Sequence, residues 1–280
     1  MITASLVLYK TKEEDLEKVI GCVNNSIIKK LYVIDNSQTD SLRELVLHFS
    51  NKTEYIYGQG NVGYGSAHNI GIQKSEGCKA DYHIVLNPDI FFEPSVISDL
   101  EMFANHHKDI GLLLPKVVYP DGRLQYLCKL LPTPMDIFGR RFIPLKYMKK
   151  RNERYEMHSM GYDKPWNCPI LSGCFMFMRV SVLKQSGLFD DRFFMYFEDF
   201  DLMRRIHRVS KTVFYPDSTI IHDHAAEHHT NKRLLKASIK SAIQYFNKWG
   251  WIFDSERRCV NRHAFDVSNF IDDNRDGKQR

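Results

Sequence analysis

The chain has 280 residues, a net charge of +5, 43% hydrophobic and 26% charged residues, the proportions of a soluble globular protein long enough to bury a large core. Its six cysteines (Cys22, Cys78, Cys128, Cys168, Cys174, Cys259) contain no C-x-x-C pair, which argues against a zinc site or a disulfide scaffold and for a reducing compartment. No apolar run approaches the roughly 18 residues of a membrane span, and the start, MITASLVLYKTKEED, lacks the charged region and cleavage site of a signal peptide, so a cytoplasmic protein is expected.

In chain order, β-rich runs alternate with helical patterns. Strands are predicted at 4–9, 30–36, 54–57 and 82–87, and helices at 13–25, 40–49, 65–75 and 94–107, the third helix weakened by Gly71. This alternation predicts an α/β fold with a parallel sheet and helices on both faces. Ligands in such folds bind beyond the carboxyl ends of the strands. The second strand ends in VIDNSQTD, exposing Asp35, Asn36 and Ser37 in a turn. The third ends in GQGNVGYGSAHN, and the fourth in LNPD, where Asp89 follows a proline of fixed φ. Turn chemistry accounts for any one of these; three at one sheet edge mark a site.

Gly58-Gln59-Gly60-Asn61-Val62-Gly63 is a literal G-x-G-x-x-G, the pattern of dinucleotide-binding proteins. That fingerprint follows the first strand of its unit and is answered by an acid about 20 residues later. Here it follows the third strand and no such acid ends a strand, so a dehydrogenase is disfavoured.

Beyond Ile110 comes strand-like IGLLLPKVVY, then an irregular basic stretch over 132–155. Met176 and Met178 alternate with Phe175 and Phe177, the composition of a strand buried on both faces. FFMYFEDFDLMRR, 193–205, sets Glu198, Asp199 and Asp201 behind Phe193, Phe194, Tyr196 and Phe197. Acids are welcome in the first turn of a helix, and Asp201 and Arg205 have the spacing of a surface ion pair; that structural reading is kept for Asp201. His106-His107 and His228-His229 are adjacent pairs that cannot share a helix face, and read as solvated surface.

Residues 231–253 read as an amphipathic helix. Leu235, Ile239, Ala242, Phe246, Trp249 and Phe253 form its apolar stripe, with Lys236, Lys240 and Lys248 away from it and Trp249 and Trp251 suited to a headgroup boundary. The stretch 138–154 repeats the chemistry, with Phe138, Phe142, Leu145 and Tyr147 among Arg140, Arg141, Lys146, Lys149, Lys150 and Arg151. Either the stripe packs on the rest of the protein, or these basic-aromatic segments bind an anionic membrane surface; the latter is the expectation. The last 25 or so residues are polar and read as a frayed tail.

One chemistry uses the strand-end residues together. A diphosphate leaving group needs a divalent cation and hence a hard oxygen ligand such as Asp89. Transfer to an alcohol needs a general base, which Glu198-Asp199 can supply. A late histidine, His222 or His224, completes the metal or diphosphate site, and Asp35 can accept from a pyrimidine N3–H. This is sugar transfer from a nucleoside diphosphate sugar.

The succession VIDNS, GNVGYGSAHNIGI, LNPDIFF, LSGCFMFMRVSVLKQSGLFDDRFFMYFEDFDLMRR and IIHDH resembles bacterial glycosyltransferase family 2 enzymes of GT-A fold, and is most similar to rhamnosyltransferases of O-antigen and cell-wall polysaccharide assembly. The resemblance covers residues 3 to about 224. It implies an inverting transferase with Mg²⁺ or Mn²⁺, a nucleoside diphosphate sugar donor (dTDP-L-rhamnose by overall similarity) and a lipid-diphosphate-linked saccharide acceptor, with no nucleic acid partner. Tyr9, Asp35, Asn36, Gly63, Tyr64, Asn69 and Asn87 would line the nucleotide-sugar site, Asp35 binding the base. Ser172, Gly173 and Tyr196 would shape the sugar and acceptor site. Asp199 would be the catalytic base with Glu198 beside it, and Asp89 and His222 would hold the metal, His224 being the fallback. Where many relatives have Asp-x-Asp this chain has Asn87-Pro88-Asp89, which removes one charge from the metal site. The implied organisation is a catalytic domain over 1–228 (nucleotide-sugar half 1–110, acceptor and base half 111–228), an amphipathic helix over 229–255 and a polar tail over 256–280.

Two other classes share some of these features. A catalytically inactive carbohydrate-binding protein of the same fold would have lost the base or the metal ligand, and both Asp199 and Asp89 are present. A nucleotidyltransferase would carry a Gly-rich phosphate loop after the first strand, and YKTKEED is not one.

Overall fold

The uninterrupted apolar run at the start of the chain forms β1 (Ile2–Leu8), buried along its whole length in a sheet of nine strands. The computed structural model describes residues 1–223 and 232–271, without the side chains of 140–142, 145, 232 and 233. Parallel to β1 run β2 (Lys30–Asp35) and β4 (Tyr82–Leu86), one on each side, with β3 (Thr53–Ile56) beyond β2. Between them lie α1 (Glu13–Asn25), α2 (Arg43–Phe49) and α3 (Tyr64–Gly77). α1 buries Leu16, Val19, Ile20 and Val23, the spacing of one helix face. Every element predicted up to residue 107 is present, the largest shift being the start of α2, expected at 40 and found at Arg43.

The second half completes the sheet with β5 (Ile90–Phe92), α4 (Ser95–His106) and β6 (Ile110–Val118), and then α5 (Pro134–Phe142), α6 (Leu145–Tyr155) and β7 (Trp166–Asn167). It continues with β8 (Phe175–Arg179), α7 (Val180–Ser186), α8 (Glu198–His207), β9 (Lys211–His222), α9 (Lys232–Trp249) and α10 (Ser255–His263). Strand order is β3-β2-β1-β4-β8-β6-β9-β5, with β7 paired to β9. β8 inserts antiparallel between β4 and β6, and its Phe-Met alternation is buried on both faces as expected. This insertion brings the start of β8 to the carboxyl end of β4, where Asn87 N–H donates to Cys174 O at 2.9 Å. The architecture is the α/β fold expected, parallel throughout its first half.

Two stretches differ from expectation. The basic region 132–155 is helical rather than irregular: Thr133 and Asp136 form a reciprocal capping box with Pro134 in the first turn of α5, where a proline costs no hydrogen bond. Arg151 of α6 then donates to Asp136 Oδ1 at 2.7 Å and Thr133 Oγ1 at 2.8 Å. The amphipathic helix ends at Trp249, followed by Gly250 at φ +103°, and part of the presumed tail is the packed helix α10. Arg204 of α8, 2% exposed, grips Asp254 through two hydrogen bonds of 2.8 and 2.7 Å and stacks 4.2 Å from the Trp249 ring. His224, the boundary at 228, the His228-His229 pair and residues 272–280 lie outside the described residues.

Candidate active site

The carboxyl ends of β1, β2 and β4 and the amino end of β8 converge on one edge of the sheet. Beyond β1 and β2 a groove of about 870 Å³ is lined by Tyr9, Thr11, Ser37, Gln38, Thr39 and Leu42, ample room for a nucleoside. Tyr9 is 48% exposed along it. Asp35 is fully buried beneath it: one carboxylate oxygen accepts from the Tyr55 hydroxyl and the other from Ser37 N–H. Asn36 donates to Gly63 O at 3.1 Å, and Gln59 donates to Asp35 O and Asn36 Oδ1. Sequence patterning did not single out Tyr55 or Gln59, and both now stand between the expected base-binding acid and its surroundings.

Gly63 caps α3 at φ +92°, and a β-carbon there would collide with the Phe194 carbonyl. Tyr64 N–H donates to that same carbonyl at 2.9 Å. The Tyr64 hydroxyl lies 2.8 Å from both Asn87 Oδ1 and Gly173 O, its one proton serving either, and burial drives its pKa far above the usual value. Asn69 is a clamp: its amide pairs with Phe189 N–H and C=O at 3.0 and 2.9 Å and reaches Asp191. It orders the segment leading to Phe193.

The loop before α8 is strained. Tyr196 and Phe197 both adopt left-handed φ, +67° and +66°, at a cost on the order of 1–3 kcal/mol each. Packing holds them there: Phe193 and Phe197 are buried against Ala242, Tyr245 and Phe246, with Tyr196 at the margin. Ser241 of α9 donates to Met195 O at 2.7 Å. The turn aims the first residues of α8 at Gly173, whose N–H donates to Asp199 Oδ2 at 3.1 Å, while Phe200 N–H donates to Oδ1 at 2.9 Å. A β-carbon on Gly173 would sit 2.9 Å from Asp199 Oδ2, so this approach needs glycine. Ser172 adjoins it, its hydroxyl accepting from Cys174 N–H at 3.4 Å.

The two carboxyls of the pair differ. Burial, and then the Asp199 charge, push Glu198 far above the usual range; it is 5% exposed and its Oε2 has no hydrogen-bond partner. Burial also raises Asp199, opposed by the Phe200 N–H, the Lys129 ammonium and the Gly173 N–H. Burial and the neighbouring charge thus favour the protonated form at Glu198 more strongly than at Asp199, whose carboxylate is supported by two backbone N–H groups and the Lys129 ammonium. Lys129, on the loop after β6, carries no sequence signal of its own.

Asp89 Oδ2 and His222 Nε2 lie 3.5 Å apart, joined by the pairing of β5 with β9. Gln125 donates to His222 O at 2.8 Å, which orients its amide so that Oε1 faces His222 Nδ1 at 3.0 Å. Nδ1 then carries a hydrogen, and Nε2 is the ring atom turned toward Asp89. Asp89 Oδ1 is buried without a hydrogen-bond partner. Two acceptors converging on one point, one of them an anion, suit a divalent cation, with Gln125 as the outer support. Among the described residues no three His, Cys, Asp or Glu side chains form a complete metal site, so substrate oxygens would have to complete the coordination.

No helix among the described residues is long and apolar enough to cross a membrane. The α9 stripe packs inward at Ala242 and Phe246. Two residues depart from the interfacial expectation: Trp249 donates its indole N–H to Asp201 Oδ1 at 2.8 Å, and Lys248 pairs with Asp190 and Asp201 at 2.7 Å each. Asp201 is structural as expected, yet fully buried, and its partner Arg205, 2.9 Å away, is partly exposed.

The sequence model of "Glycosyl transferase family 2" matches residues 6–187. The chain is 28% identical over 246 residues to an N-acetylglucosaminyl-diphospho-decaprenol L-rhamnosyltransferase of Mycobacterium tuberculosis, covering 79% of this chain and 80% of that one. It is 24% identical to the rhamnosyltransferase WbbL of Escherichia coli, covering 85% and 86%. Solved structures with the same fold include GalNAc-T7 with UDP, GalNAc and Mn²⁺ (TM-score 0.64, 15% identity, 92% of this chain and 48% of that one). Another is the Pyrobaculum calidifontis mannosyltransferase PcManGT with GDP-Man and Mn²⁺ (TM-score 0.60, 11% identity, 88% and 64%). The chain spans about half the length of the first of these structures. Since the family match takes in well over half of its residues, this protein belongs to glycosyl transferase family 2 and is a glycosyltransferase of GT-A fold.

Proposed function

We propose that the protein is an inverting rhamnosyltransferase that moves L-rhamnose from dTDP-L-rhamnose to a hydroxyl of a lipid-diphosphate-linked saccharide. The observation that carries the mechanism is Asp199, held by two backbone N–H groups against Gly173 beside the buried Glu198, whose carboxyl burial pushes far above the usual range. Asp199 takes the proton of the acceptor hydroxyl. The oxygen bonds to the anomeric carbon from the face opposite the diphosphate, the bond to the diphosphate oxygen breaks, and dTDP leaves with that electron pair. Tyr9 and the groove beside it would receive the nucleoside, with Asp35 ordering the turn from below and Asn36 and Gly63 closing its far side. Asn87 and Tyr64 link this half to Gly173, and Ser172 and Tyr196 flank the sugar. Asp89 and His222 would hold Mg²⁺ or Mn²⁺, which neutralises charge on the departing diphosphate when bound.

The names of the similar transferases of M. tuberculosis and E. coli support a rhamnosyl donor, and the former supports a diphosphate-linked acceptor. Such an acceptor brings the enzyme to a membrane surface. Trp251, Ile252 and Phe253 are 39%, 69% and 84% exposed in the turn after α9, with Arg258 5.9 Å from the Phe253 ring. Tyr147 is 70% exposed beside Lys146 and Lys149 on α6. These groups support peripheral binding to an anionic leaflet. The deciding experiment incubates the protein with dTDP-, UDP- and GDP-linked sugars, a lipid-diphosphate-GlcNAc analogue and Mg²⁺, and identifies the product. Transfer from UDP- or GDP-sugars alone would replace the donor; transfer only to soluble sugars would replace the acceptor.

A further inference from the structure

Beside the strained loop lies a second groove, of about 280 Å³, lined by Arg192, Phe194, Lys236, Lys240, Ser241 and Gln244 among others. We infer that this groove binds the diphosphate of the acceptor, so that the acceptor is recognised by its anionic linkage as well as by its sugar. The inference rests on the reading of the acceptor as a diphosphate-linked saccharide and adds the site that reads that group.

Charge is the first argument. Among the described residues three cations line the groove and no acid does. Arg192 is partnered by Asp190, which shares Lys248 with Asp201, itself paired with Arg205, so three cations face two carboxylates. Lys236 and Lys240 are exposed and make no ion pair with a described residue. They stand four apart on α9, where like charges repel each other along a helix face. An anion between them relieves that repulsion, and a phosphate offers the acceptor oxygens that ammonium groups seek.

Position is the second argument. One wall of the groove is Phe194, 46% exposed, whose carbonyl is fixed by Tyr64 N–H. Tyr64 in turn touches Gly173, and Gly173 touches Asp199. The other wall, α9, is fastened to the same loop by Ser241. In a diphosphate-linked saccharide a single sugar ring separates an acceptor hydroxyl from the diphosphate. With a hydroxyl at Asp199 the diphosphate lies one ring away, and the groove is tied to Asp199 through Phe194, Tyr64 and Gly173. The donor diphosphate is assigned separately, to Asp89 and His222, neither of which lines this groove.

The test compares wild type with the Lys236→Glu/Lys240→Glu variant on two acceptors, a short-chain lipid-diphosphate-GlcNAc and an alkyl GlcNAc without phosphate. The ratio of kcat/KM for the first to that for the second is expected to fall roughly tenfold or more, the weight of one or two charge-assisted contacts. In calorimetry without donor, affinity for the diphosphate acceptor should fall likewise while dTDP affinity does not change. An unchanged ratio and unchanged affinity overturn the site. So does a variant that loses only its flotation with anionic vesicles, for then the lysines serve lipid headgroups. If wild type transfers to neither acceptor, the proposed function fails, and calorimetric binding of the diphosphate acceptor still reads the groove.

Discussion

Lys248 Nζ lies 2.7 Å from Asp201 Oδ1, in contact with an acid that is fully buried two residues after Asp199. The same carboxylate accepts the Trp249 indole N–H and pairs with Arg205. The end of α9 is thereby tied to the first turn of the helix that carries the proposed base. Removing one partner of a buried charged network strands the others. Asp201→Ala is expected to lower stability by about 3–5 kcal/mol, and Trp249→Phe, which deletes one hydrogen bond, by about 1 kcal/mol. Urea unfolding of both variants measures this; midpoints equal to wild type would show that the tie holds nothing.

Asp199→Asn is expected to reduce turnover by about 10² to 10⁴, the range for loss of a positioned general base. Donor affinity should stay near that of wild type, because the hydrogen bonds to this carboxylate from described residues come from the backbone N–H groups of Gly173 and Phe200. Turnover and dTDP titration on the folded variant separate the two effects. Near-normal turnover removes Asp199 from the mechanism.

Glu198 is the member of the pair that favours the protonated form, so Glu198→Gln should keep most of the turnover that Asp199→Asn loses. A thermal comparison gives a second reading. In the folded state Glu198 holds its proton above the pH at which the unfolded chain releases it. Between those two values the native state binds more protons, and stability falls as pH rises. The amide has no proton to lose, so the advantage of Glu198→Gln in Tm should widen as pH rises above the ordinary glutamate range. A constant difference as pH rises would mean that Glu198 is ionised in the native protein.

Asp89→Ala should weaken dTDP binding and flatten its response to Mg²⁺ or Mn²⁺, since one of the two convergent acceptors is gone. Gln125→Leu leaves both in place but frees the His222 ring, and should cost about 10–100-fold in metal affinity. Calorimetric titration of dTDP with and without EDTA checks each. Equal dTDP affinity in the two conditions for wild type would dismiss the metal site.

The first half of the fold was legible because its strands are continuous apolar runs and α1 carries a clean helical stripe. The strand-end residues Asp35, Asn87 and Asp89 stood out for the same reason. Their partners did not. Gln125 meets His222 across 97 residues of chain, through the pairing of β6 with β9, and no local pattern announces it. Asp35 and Asn69 were visible as residues, but Tyr55 and Phe189, which engage them, come from other elements. Pro132, Pro134 and Pro144 made 132–155 look broken, although Pro134 opens one helix and Pro144 caps the next. The apolar stripe of α9 was legible up to Trp249, whereas Phe253, expected in it, lies exposed beyond the end of the helix. The stripe's partner, the loop at Phe193 and Phe197, became visible only in three dimensions.

That burial narrows where a membrane could be met. Ala242 and Phe246 are spent on the catalytic loop, whereas Trp251, Ile252 and Phe253 lie in a turn held from beneath by Arg257, which donates to the carbonyls of Gly250, Trp251 and Ile252. A rigid turn loses little entropy when it inserts. Each apolar side chain transferred is worth roughly 1.5–3 kcal/mol, and each nearby cation about 1 kcal/mol at an anionic surface. The protein should therefore float with anionic vesicles at low salt more than with neutral ones. Ile252→Ser/Phe253→Ser should weaken binding to both kinds of vesicle, whereas charge reversal at Lys146, Lys149 and Lys150 should remove only the anionic preference. Equal flotation of wild type with anionic and neutral vesicles at low salt would defeat the electrostatic part of this reading and make a soluble acceptor the better candidate.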